Sequence, residues 1–149
     1  MIEISIDGED ELSNKLTRLV ETRGGLPRVL EVFADRIFNY ALEGAGKHSK
    51  SGWLVRSLGS GAAKTGDLEY QISHDLQAAP QALFVNFGTR PHEIRPKQKK
   101  VLRWVNGGNF IFSKLVHHPG YKGDAYFPAS TENALRDFDQ IVSKYLMEN

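Results

Sequence analysis

His92, His117 and His118 lie within one stretch of this 149-residue chain, and neutral imidazole is a common zinc ligand. Their spacing suits a metal poorly. Adjacent residues of a strand point to opposite faces, so His117 and His118 could share an ion only across a kink. Pro119-Gly120 could bend the chain there, but no acid cluster stands nearby to complete a shell. No metal site is expected, and His118 is read as packing beside Pro119 at a turn. Hydrolytic chemistry needs gathered carboxylates, or a base beside a nucleophile. The acids are instead spread mainly over the terminal regions. Ser57, Ser60 and Ser113 lie in no Gly-x-Ser-x-Gly turn, and Gly59-Ser60-Gly61 lacks a strand before it and a helix after. Gly44-Ala45-Gly46-Lys47-His48 ends a helical pattern where a phosphate cradle would open one. No catalytic residue and no cofactor are expected.

The remaining chemistry is electrostatic. Segment 90–123 holds Arg90, Arg95, Lys97, Lys99, Lys100, Arg103, Lys114 and Lys122 against the single acid Glu93, a net charge of +7. The rest holds eleven bases and seventeen acids, a net charge of −6. Such a split steers one surface toward a polyanion or toward the acidic face of a neighbouring subunit. Arg95, Lys97, Lys99, Lys100 and Arg103 are close enough to meet a run of phosphates, with Trp104 beside them. Pro96 keeps this approach extended, as in a projecting arm. No helix-turn-helix, zinc finger or RNA-recognition motif accompanies the cluster, so contact with DNA would be sequence-blind and salt-sensitive.

Around this segment the elements follow from periodicity. Ile2, Ile4 and Ile6 alternate with polar residues as in a half-buried strand. Leu12, Leu16, Leu19 and Val20 form a helical stripe that should stop near Thr22, before Gly24-Gly25. Pro27 suits the first turn of a second helix, with Leu26, Val29, Leu30, Phe33, Ile37 and Ala41 along one face and Gly44 and Gly46 finishing it. Short runs follow: Leu68, Tyr70 and Ile72 in alternation, then the compact apolar Ala82–Val85. Val101–Val105 and Phe110–Val116, separated by Asn106-Gly107-Gly108-Asn109, read as a hairpin. Alternation places Trp104 with Leu102 on its core face. Leu135, Phe138, Ile141, Val142, Tyr145 and Leu146 recur at helical spacing after Pro128.

The expected class is α+β: a central antiparallel or mixed sheet packed by N-terminal helices and a C-terminal helix. The length fits one domain over 1–149, with the arm and hairpin at about 88–123. The chain has no cysteine, hence no disulfide or thiolate metal site. Met1–Asp10 is acidic and alternating, unlike a secretory signal, and no apolar run is long enough to span a membrane. Cytosolic synthesis is the simpler expectation.

Several short motifs, taken in order, resemble one family. Ser51-Gly52-Trp53-Leu54-Val55-Arg56-Ser57 is similar to a Thr-Gly-x-Leu-x-x-Ser element, and Asn86-Phe87-Gly88-Thr89 to Glu-Phe-Gly-Thr. Pro91-His92-Glu93-Ile94-Arg95-Pro96 is similar to Pro-x-x-Ile-x-Pro, with Lys99-Lys100-Val101-Leu102 after it. His118-Pro119-Gly120 and Tyr126-Phe127-Pro128-Ala129 complete the order. From about residue 30 to the end this resembles the head–tail joining (neck or tail-completion) proteins of tailed phages. Asn86 stands where the family commonly has an acid, so that any salt bridge the acid makes is absent here or becomes a neutral hydrogen bond. Asp124-Ala125 replaces a frequent Gln-Pro type pair.

The resemblance implies a non-enzymatic, ring-forming connector subunit at the head–tail junction of a virion, made in the host bacterial cytoplasm. Its partners would be further copies of itself, a head-side connector or portal and tail-side proteins, with genomic DNA passing through the ring and no membrane. Phe87, Gly88, Thr89, Pro91, Pro96, Pro119 and Gly120 would set the backbone. Arg90, Arg95, Lys97, Lys99, Lys100, Arg103 and His118 would form the interface, facing protein in preference to DNA, because a conduit that held phosphates tightly would hinder ejection. The first alternative is a sequence-independent phage DNA-binding protein using the same arm. The second, ranked far behind, is a small hydrolase or nuclease centred on the histidines.

Overall fold

The computed structural model describes Asn14, Lys15, Thr17, Arg18, Glu21 and residues 24–148. The expected strand over Ile2, Ile4 and Ile6, and the stripe Leu12, Leu16, Leu19 and Val20, lie outside the described residues. The protein is α+β. Its described helices are α1 Gly25–His48, α2 Trp53–Arg56, α3 Gln81–Phe87 and α4 Tyr126–Glu148. The strands are β1 Ala63–Gly66, β2 Glu69–Gln71, β3 His92–Ile94, β4 Leu102–Asn106, β5 Asn109–Ser113 and β6 Val116–His118.

Among the described residues the strands do not assemble into one central sheet. They pair as three separate antiparallel ladders, β1–β2, β3–β6 and β4–β5. The physical reason lies in their length and polarity: β1 reads AKTG and β2 reads EYQ, too short and too polar to be covered on both faces as a central strand is. The apolar run Ala82–Val85, expected among the strands, is helical in α3. Pro80 immediately precedes that helix and Gly88 terminates it at a φ of 78°, so proline and glycine bound a single short helix.

Contacts divide the chain into two compact units, residues 1–79 with 126–149, and residues 80–125. The first is built on α1 and α4. Val29 near the start of α1 packs with Ile141 and Val142 near the end of α4, joined by Val32, Phe33, Phe138, Tyr145 and Leu146. Phe33 and Phe138 meet edge to face with centroids 5.2 Å apart, the arrangement that aromatic quadrupoles favour. Further along, the Tyr40 hydroxyl donates to Asp137 Oδ2 at 2.8 Å. The two helices therefore run antiparallel. Two expected positions fall off this seam, since Leu26 is 38% and Leu135 58% exposed, while alanines 34, 41, 45 and 134 are buried and allow close approach.

α1 continues through Gly44 and Gly46 to His48, correcting the expectation that these glycines finish it. Gly44 is a packing residue. A Cβ built there would stand 2.6 Å from Cδ2 and 2.7 Å from Cβ of Tyr126, whereas one on Gly46 would meet nothing within 4 Å. Opposite outcomes are expected for one substitution. Gly46→Ala should stabilise by about 0.5–1 kcal/mol through helix propensity. Gly44→Ala should destabilise, because overpacking of about 1–3 kcal/mol exceeds that gain. Urea midpoints of the two variants check the pair.

Candidate functional site

The motifs that punctuate the sequence meet at one place in the unit 80–125. β3 and β6 pair His92 with His118, Glu93 with His117 and Ile94 with Val116. A separate bridge joins Thr89 and Tyr121, whose amides and carbonyls bond reciprocally at 2.7 and 3.0 Å. The Asp124 amide donates to the Val85 carbonyl at 2.7 Å. One register runs through both pairings and sets Pro91 opposite Pro119. Neither proline has an N–H to give, so the ladder is interrupted where they face each other. The start of the arm and the turn after His118 are thus hydrogen-bonded to one another.

Three glycines make this crossing possible. Gly88, Gly120 and Gly123 have φ of 78°, 85° and 85°. A Cβ on Gly88 would collide with the Tyr121 carbonyl oxygen and stand 2.7 Å from that of Lys122. One on Gly120 would stand 2.5 Å from the Thr89 oxygen, and one on Gly123 2.6 Å from the Gly88 nitrogen. Gly88, Thr89 and Gly120 therefore act through the backbone. Phe87 is 71% exposed. Asn86 is buried, and its Nδ2 donates to the Ala82 carbonyl at 2.9 Å, a neutral hydrogen bond.

The cationic side chains surround this frame. Arg90, Arg95, Lys97, Lys99, Lys100 and Arg103 are all exposed. Arg95 is drawn to Glu93 at 2.9 Å, and the Arg103 guanidinium lies over the Phe110 ring at 4.8 Å. Lys97, Lys99 and Lys100 occupy a bend between β3 and β4, with no ion pair among the described residues. Pro96, at the entry to that bend, is half-buried. His92 and His118 stack with centroids 5.0 Å apart, while His117 turns toward Glu93 on the other face, 3.6 Å from its carboxylate. The Gly120 amide donates to His118 Nδ1 at 3.1 Å, and His92 Nδ1 lies 2.8 Å from the Arg90 carbonyl. Among the described residues no three His, Cys, Asp or Glu gather as a metal would require.

The β4–β5 hairpin turns through Gly107-Gly108 at φ of 57° and 85°, the paired positive φ of a tight hairpin turn. Trp104 shares a face with Leu102 as alternation predicts, but remains 39% exposed. The opposite face carries Arg103, Val105, Phe110 and Phe112. Its three apolar members are 61%, 59% and 60% exposed. A two-stranded hairpin is marginal in water by itself, so an uncovered aromatic face on one is suited to a partner.

Set against protein-family models, curated proteins and solved structures, the chain matches none. Its function is therefore argued from these residues. No helix among the described residues is long and apolar enough to cross a membrane.

A second cluster, in the unit built on α1 and α4, joins residues far apart in sequence. His74 Nδ1 lies 2.7 Å from Ser57 Oγ and His74 Nε2 lies 2.8 Å from the Tyr126 hydroxyl. Ser57 Oγ also donates to the Leu54 carbonyl at 2.7 Å. With that proton directed at the Leu54 carbonyl, a His74 tautomer protonated at Nδ1 would satisfy all three contacts. The arrangement is a strut that ties α2 to the start of α4. The Asp75 amide, bonded to the Ser57 carbonyl at 2.7 Å, holds His74 in place. Periodicity could not reveal this cluster, because Ser57 is 17 and Tyr126 is 52 positions from His74.

Burial lowers the His74 pKa from its ordinary 6.5. The unfolded chain then binds the proton more readily than the folded one. His74 contributes its full stability above about pH 6.5 and loses it as pH falls through the lowered folded value. The melting temperature should fall as pH is taken from 7 toward 5. A His74→Gln variant should melt lower at pH 7 and show a shallower fall with acid; parallel curves would assign the dependence to other groups.

Proposed function

We propose that this protein is the structural subunit of a ring that joins the DNA-filled head of a tailed phage or prophage to its tail. The observation that carries the reading is the surface of the unit 80–125. A glycine- and proline-defined backbone crossing presents Lys97, Lys99 and Lys100 beside a hairpin with a bare apolar face. Extended, cationic and apolar at once, this is a surface suited to a macromolecule. The motif order that resembles head–tail joining proteins supports the same reading, since its Gly88, Pro91, Pro119 and Gly120 meet at that crossing. The role is assembly without catalysis, with copies of itself, a head-side connector and tail-side proteins as partners.

Peptide mass spectrometry of purified particles from an induced prophage tests this directly. A few copies of the chain per particle, measured against the major capsid protein, are expected. Absence from well-formed tailed particles would remove the connector role. A sequence-independent DNA-binding role draws on the same exposed lysines, and it predicts an affinity of the free chain for duplex DNA that falls steeply with salt.

A further inference from the structure

We infer that the hairpin of one copy docks, by its Arg103, Val105, Phe110 and Phe112 face, into an apolar groove on the α1–α4 unit of the next copy. The inference rests on the ring reading and names the contact that would propagate the ring. The groove is lined, among the described residues, by Phe33 and Ile37 of α1, Leu68, Glu69 and Tyr70 around β2, and Phe127 of α4. Its volume is about 360 Å³. A cavity of about 150 Å³ can hold a benzene molecule, so this groove has room for the rings of both Phe110 and Phe112.

Charge selects a second copy as the occupant. The hairpin belongs to the +7 segment and the groove to the −6 remainder. On the apolar hairpin face the cation is Arg103, held over Phe110 at 4.8 Å. Among the groove residues the acid is Glu69, exposed and with no ion pair among the described residues. Apolar surface therefore meets apolar surface with opposite charges alongside. The two patches are different surfaces of one chain, so each copy can give its hairpin to one neighbour and its groove to another. Such a heterologous contact repeats until rotation closes a ring.

The absence of native cysteine makes the contact accessible to site-directed linking. Full-length Asn109→Cys and Gln71→Cys chains of different mass, which keep Arg103 and Glu69, would be mixed at about 1 mM, where a weak contact is populated, and treated with a short bis-maleimide. A mixed dimer is expected from that pair and not from Asn109→Cys with Lys47→Cys. Self-association of the cysteine-free chain should weaken about tenfold with Arg103→Glu or Glu69→Arg, and recover when one chain carries both. Oligomers that form without the mixed link, or that ignore the charge exchange, would overturn this contact while leaving the ring reading in place. A chain that stays monomeric throughout would overturn the contact too, and its presence in particles would then decide the ring reading separately.

Discussion

Gly88→Ala should cost about 3 kcal/mol or more, with the loss confined to the unit 80–125. Gly88 combines a φ of 78° with a ψ of −175°, a region that is essentially glycine's alone and that costs other residues about 1–3 kcal/mol. The new methyl would also collide with the Tyr121 carbonyl oxygen at the crossing. Both obstacles are backbone, so no rotamer change relieves them. Hydrogen exchange should show the Thr89 and Tyr121 amides, which bond to each other's carbonyls, losing protection while amides of α1 keep theirs. Gly107→Asn supplies the contrast. Its φ is 57° and nothing lies within 4 Å of the added Cβ, and asparagine tolerates that turn position, so stability should move by no more than about 0.5 kcal/mol. Equal losses at the two glycines would contradict the steric account.

If the chain has the connector role proposed above, replacing Lys97, Lys99 and Lys100 together by Glu should abolish the joining of heads to tails while leaving the isolated chain folded. The triple change takes segment 90–123 from +7 to +1, because each reversal removes two charges from the total. Like-charge juxtaposition across an interface costs several kcal/mol, whereas exposed side chains without local partners contribute little to folding. The three lysines are exposed in a bend, so the two effects separate cleanly. The readout is complementation of an in-frame deletion, scored as joined particles by electron microscopy, beside the melting temperature of the purified variant. Normal particle yield would sink the interface role of these lysines. A lowered melting temperature would mean that they support the fold.

What the sequence alone determined was local. The glycine and proline positions predicted the Gly107-Gly108 hairpin turn and the start of α1 near Pro27, because φ preference and a missing N–H act within a few residues. Periodicity likewise marked α1 and α4 and placed Trp104 with Leu102. Charge counting located the cationic segment without any geometry. Tertiary structure decided what these features touch. Gly44 read as a helix end until the Tyr126 ring proved to occupy the space of its side chain. Pro91 and Pro119 read as parts of separate motifs, yet a common register sets them opposite each other. Ala82–Val85 read as one more extended run, because four apolar residues carry no period that separates helix from strand. The Ser57–His74–Tyr126 strut left no sequence signal, for its members approach only when α2, the following loop and α4 pack. Backbone preference is written residue by residue, whereas a contact between distant residues depends on the packing of everything between them.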